Sequence, residues 1–228
     1  MSIDVDVRDD TGSFVAKWRA RWPEWELAMV FVPAARRPLV EAWFTLLQEL
    51  ADAAWGGGDP TPGLAKLAWW QEELVGWGKG ARRHPLGALL QPRAAPWQAL
   101  GRALPDLRAL RGDAPDDAVA RDAHGDAVPG QAFATAVAAC EAALFDGRDD
   151  DAARAAVLAS LLGERRLMQA ASMDAIDADD GEAVPARAGS RPRGIAAALV
   201  AARQLRPATP VPPLRALFAA WRGARSAR

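Results

Sequence analysis

The chain has 228 residues, half of them hydrophobic, and a formal net charge of -1, so it is long enough to bury a sizeable core and offers no electrostatic case for nucleic acid. Its single cysteine, Cys140, excludes an internal disulfide and a cysteine-based zinc site and suits a reducing cytoplasm. No run approaches the roughly 18 apolar residues that cross a bilayer, and the acidic start MSIDVDVRDD lacks the form of a secretory signal, so the chain reads as soluble, with contact at a membrane surface left open.

Helical spacing recurs along the chain, whereas strand-type alternation does not. Residues 1–12 read as an acidic, flexible N-terminus and 13–228 as one helical domain. Ser13 caps a first helix to about Arg21, Pro23 starts a second to about Phe31, and Pro33 ends it. A long helix follows from about Pro38 to Trp55, with Leu39, Trp43, Leu46, Leu47 and Leu50 at helical spacing and Gly56 to Gly58 beyond it. The next runs from about Pro62 to Trp77 on a stripe of Leu64, Leu67, Trp70 and Leu74, with Gln71, Glu72 and Glu73 off the stripe. His84 and Pro85 open a short helix, and others are expected near Pro96 to Leu110, Gly130 to Phe145, Ala152 to Ala170, Arg193 to Leu205 and Pro213 to Arg222. Acid-, Gly- and Pro-rich stretches near 111–125 and 174–192 read as mobile loops. Ten tryptophans, no tyrosine and no asparagine, among abundant Ala, Arg, Gly and Pro, fit a GC-rich bacterial coding sequence.

The stretch KLAWWQEELVGWGKGARRHPLGALL, Lys66 to Leu90, resembles the RLxWWRxxL and HPV segments of the squalene/phytoene synthases. ELAMVFVPAARRPLVEAWFTLLQELADA, Glu26 to Ala53, resembles the opening helices of that family, which end in an aspartate-rich motif of the form RELDDIAD. Here the motif reads QELADAAW: Gln48 stands for the arginine, Glu49 stays acidic, Ala51 replaces one aspartate, Asp52 keeps the other, and Trp55 takes the distal position. GQAFATAVAACEAALF, Gly130 to Phe145, is similar to the family's Tyr-Cys helix with Phe133 and Ala134 in those two places. The second motif, of the form RDVxED, corresponds to MDAIDADDGEAVPAR, in which Asp174 and Asp177 stand for the first two acids, although that run equally reads as a loop.

The resemblance implies an all-α bundle of the isoprenoid synthase type, shortened at the C-terminus, around an elongated apolar cavity, with Phe31, Trp43, Trp70 and Phe133 as candidates to line it. In an active member, carboxylates on facing helices hold Mg²⁺, which neutralises a prenyl diphosphate and helps it leave. The candidates for that task are Glu49, Asp52, Asp174 and Asp177. The reading adopted is a family member with impaired metal chemistry that retains prenyl or lipid binding or serves a protein partner. Two alternatives stand beside it: an active Mg²⁺-dependent prenyltransferase, and a helical interaction domain without ligand. Asp146, Asp149, Asp150 and Asp151 are read as helix caps, His84 as a helix-start residue, Cys140 as a buried inert thiol, and the arginines beyond Arg203 as a solvated face.

Overall fold

The structure, a computed structural model, describes residues 3–111, 128–172, 189–207 and 209–226. The expected loops near 111–125 and 174–192 lie almost wholly outside the described residues, as do Asp174 and Asp177. The described residues are all-helical: α1 (Ile3–Arg21), α2 (Glu24–Ala28), α3 (Arg37–Trp55), α4 (Thr61–Trp77), α5 (Gly87–Leu90), α6 (Trp97–Arg102), α7 (Leu104–Ala109), α8 (Gln131–Phe145), α9 (Asp151–Ser172), α10 (Arg191–Gln204) and α11 (Pro213–Ser226).

Proline and glycine set most of the boundaries. Pro23 separates α1 from α2, and Pro33 separates the 3-10 turn Met29–Phe31 from the next such turn, Ala34–Arg36, which leads into α3. The expected Pro96 to Leu110 helix is divided, because Pro105 has no amide proton to continue α6 and instead sits in the first turn of α7. Helix α1 begins at Ile3, ten residues ahead of Ser13, so Ser13 lies inside the helix rather than at its cap. Of the four acids read as helix caps, Asp150 does cap α9, accepting a hydrogen bond from the Ala153 amide at 2.8 Å, whereas Asp149 and Asp151 pair with Arg154 and Asp146 ends α8 and pairs with Arg36.

Helix α3 is the central element, in contact with α1, α4, α5, α7 and α9. Its burial runs all round: besides Trp43, Leu46 and Leu50, the positions Thr45, Gln48 and Glu49 are withdrawn from solvent. Two aromatic groups flank it. Trp18, Trp25 and Phe44 form one, with Trp25 and Phe44 centroids 5.0 Å apart. Trp43, Trp97, Trp77, Trp70, His84 and Phe14 form the other, a continuous chain of ring contacts from α3 through α6 and α4 to α1. Such pairs add roughly 0.5–1.5 kcal/mol each beyond the area they bury.

The structure corrects the reading of α4 at two positions. Leu64 is exposed and Glu73 is buried. Glu73 Oε1 accepts the backbone amides of Arg83 and His84, each at 2.7 Å, and the Trp77 indole N–H at 2.8 Å, while Oε2 accepts from Arg83 Nε at 3.0 Å. Burial opposes its charge, but these donors outweigh it and hold the carboxyl below its ordinary value. His84 then closes the turn by accepting the Leu86 amide at Nδ1, 3.2 Å away, consistent with its expected place at a helix start.

Helices α10 and α11 cross at Gly194 and Gly223, whose backbones meet so closely that a Cβ on either would collide with the carbonyl oxygen of the other. Gly223→Ala is expected to push the helices apart and destabilise the fold by about 1–3 kcal/mol, as overpacking does. Thermal unfolding checks this: a melting temperature within about 1 °C of the parent would place the helices farther apart than described.

Candidate functional site

The sequence brings Glu49 and Asp52 to one face of α3, since positions three apart lie nearly one above the other on a helix. Glu49 is only 3% exposed, and both its oxygens are taken: Oε1 accepts from Lys17 Nζ at 2.9 Å and Oε2 from Lys66 Nζ at 2.6 Å. Asp52 Oδ2 accepts from the same Lys17 at 3.0 Å. Burial opposes the Glu49 charge, yet the Lys66 and Lys17 ammonium groups prevail and keep the carboxyl below its ordinary range. Burial likewise opposes the Lys17 charge, and Glu49 and Asp52 more than offset it.

This cluster does not fit Mg²⁺. Magnesium wants several oxygen ligands in octahedral array with surplus negative charge, whereas two carboxylates and two ammonium groups here sum to zero, and a bound metal would have to expel a lysine from a buried carboxylate. Among the described residues, no three His, Cys, Asp or Glu side chains are grouped to hold a metal ion.

The four aromatic candidates are dispersed. Trp43 is fully buried and donates its indole N–H to Glu141 at 2.9 Å; Trp70 and Phe133 are core residues at 1% exposure each. Phe31 alone faces open space, in a groove of about 620 Å³ between the Met29–Phe31 turn and α11. The three others therefore act as packing, with one indole also serving as a hydrogen-bond donor.

Two further buried acids each have their own donors. Glu141, a lone charge in the apolar α8, receives Arg193 Nε at 3.1 and 3.2 Å, Arg193 Nη2, and Ser190 Oγ at 3.4 Å. Glu24 receives Arg203 and the Val211 amide, and Arg203 also lies over the Trp22 ring at 4.4 Å. Glu164, half-buried, differs from these two, since no side chain among the described residues pairs with it directly. It lies with Gln48 in a small pocket walled by Trp18, Trp22, Trp25 and Phe44, and burial pushes its carboxyl up to about 7, with Arg193 and Arg21 offsetting part of that rise. Trp22 and Gln48 also border an adjoining surface cleft of about 460 Å³ that carries Lys17, Arg21, Asp52, Arg203 and Leu167.

Sequence reasoning missed Lys17, Lys66, Arg193 and Glu164. The isolation of Glu141 within an alanine-rich run is a usable signal for a buried ion pair, because an unpartnered charge there would cost several kcal/mol. Cys140, next to it, is fully buried, and burial drives its thiol well above the ordinary value, as expected of an inert thiol. Compared with known proteins, the chain matches no family model, no curated sequence and no solved structure.

Proposed function

We propose that this protein is a squalene/phytoene synthase-like helical protein that does not ionise prenyl diphosphates and instead binds a prenyl-type amphiphile without Mg²⁺. The observation that carries the reading is Glu49, held on both oxygens by Lys17 and Lys66, which leaves the acids of the first motif electrically satisfied. What supports the binding role is the adjoining cleft, where Arg21 stands with apolar Trp22 and Leu167 at the mouth of the tryptophan-walled pocket, beside Lys17 and Arg203, whose charges are matched by Glu49, Asp52 and Glu24. An anionic head with a hydrocarbon tail suits that distribution. Lysine in place of a metal ion supplies positive charge as a compact ammonium, which attracts a phosphate without polarising the leaving oxygen as Mg²⁺ does.

Calorimetry with farnesyl diphosphate, with and without Mg²⁺, tests both halves, together with an assay for a condensed hydrocarbon product. The expected result is binding that does not depend on Mg²⁺, weakened by Arg21→Ala, and no product. Mg²⁺-dependent binding followed by turnover would overturn the reading in favour of an active prenyltransferase. Absence of binding in both conditions would leave a protein partner as the occupant of the family likeness.

A further inference from the structure

We propose that the outer face of α11, together with the Val30–Phe31 turn, docks onto an anionic lipid bilayer, whether or not the cleft holds a ligand. Helix α11 is divided lengthwise by its sequence. At about 100° per residue, Ala216, Ala220, Gly223 and Ala224 form the side that packs inward, with Gly223 against Gly194 of α10. The adjacent stripe consists of Leu214, Leu217, Phe218 and Trp221, spaced three, one and three residues apart and therefore within a single arc, and every one of them is exposed, Leu214 at 83% and Phe218 at 57%. Four large apolar side chains in contact with water on one helix are costly, and they are what an interfacial helix buries below the headgroups.

Charge selects the kind of surface. Arg215 and Arg222 run along the flank of this stripe opposite the buried side, and Arg225 lies over the Trp221 ring at 5.0 Å. None of the three makes an ion pair among the described residues. The sequence beyond Arg203 contains no Asp or Glu at all. The neighbouring groove continues the pattern: Val30, 61% exposed, Phe31 and Trp221 all line it, with Arg37, Arg191 and Arg225 on its walls and no acid. An apolar stripe with Trp, Phe and Leu, rimmed by arginines alone, matches a bilayer with negative headgroups, where each basic residue near the surface strengthens binding roughly fivefold. No helix among the described residues is long and apolar enough to cross a membrane, so the contact is peripheral.

Flotation of the full chain with two kinds of vesicle tests the proposal: phosphatidylcholine alone, and equal parts phosphatidylcholine and phosphatidylglycerol. The parent is expected to float with the anionic vesicles and to bind the neutral ones at least about tenfold less well, with binding falling as salt rises. Phe218→Ser with Trp221→Ser should lose binding at least about tenfold, and Arg215→Glu with Arg222→Glu should abolish the preference for the anionic vesicles. All four side chains are exposed, so the melting temperatures should stay close to the parent's, and that control separates loss of docking from loss of fold. No binding by the parent, or equal binding by the variants, overturns the proposal. A concentration-dependent dimer in the absence of vesicles, lost in the Phe218 and Trp221 variant, would also overturn it and assign the face to a second copy of the chain.

Discussion

Arg193→Met is expected to destabilise the fold by about 3–5 kcal/mol, because it leaves the Glu141 carboxylate buried without its counter-charge. Arg193 and Glu141 are 1% and 3% exposed, and the guanidinium reaches both carboxylate oxygens while also lying over the Phe44 ring at 5.3 Å. For a chain of this size, such a loss lowers the melting temperature by roughly 6–20 °C. A plain packing defect would produce a similar number, so the discriminating measurement is a double-mutant cycle. Glu141→Gln alone leaves the arginine charge buried and should also be costly. Combined with Arg193→Met, it removes both charges and leaves a neutral amide whose oxygen can still accept the Trp43 indole N–H. The pair should therefore recover most of the stability lost by either single variant. If Arg193→Met costs under about 1 kcal/mol, or if the double variant shows the sum of the two losses, the ion pair does not govern this region.

The contrast between what the sequence disclosed and what it did not follows from the range of the forces involved. Pro23, Pro33, Pro105 and Gly56 act on their own backbone, so the boundaries they impose are readable position by position, apart from the split that Pro105 makes between α6 and α7. The all-helical class is likewise a sum of local preferences. Partners of buried charge are not local: Glu49 meets Lys17 and Lys66 from 32 and 17 residues away, and Arg193 meets Glu141 across 52. No periodicity on either helix announces those meetings. The stripe drawn on α3 also assumed one wet side, whereas contact with five other helices buries the polar side as well, and Thr45, Gln48 and Glu49 go inward with it. What the motif residues of α3 have in common is thus proximity, which spacing predicted. Their charge balance depends on lysines brought in by other helices.

Glu164 should impose a pH dependence on stability of opposite sign to that of the paired acids. Burial among Trp18, Trp22, Trp25 and Phe44 raises its carboxyl from 4.5 to about 7, and the nearby Arg193 and Arg21 charges recover only part of the cost. The folded protein therefore keeps a proton that the unfolded chain releases, so stability is highest below the ordinary carboxyl value and declines as pH rises, until the folded group also ionises near 7. Full burial would make that span worth about 3 kcal/mol, and the partial solvent access of the side chain reduces it to roughly 1–3 kcal/mol, or about 2–12 °C in melting temperature. Other groups overlap this window. Burial holds the His84 imidazole below 6.5, which makes stability rise with pH up to that value, and Glu49 and Glu73, held below 4.5, cost stability only as pH falls further into the acid range. The comparison that isolates Glu164 is the parent against Glu164→Gln, which keeps the shape and removes the titration. The variant is expected to be more stable by about 1–3 kcal/mol near pH 8, where the parent must hold a charge at a half-buried site, and to differ by clearly less near pH 4.5, where it does not. Equal stability of the two proteins at both values would mean that the Glu164 carboxyl reaches solvent and that the tryptophan pocket is open to water.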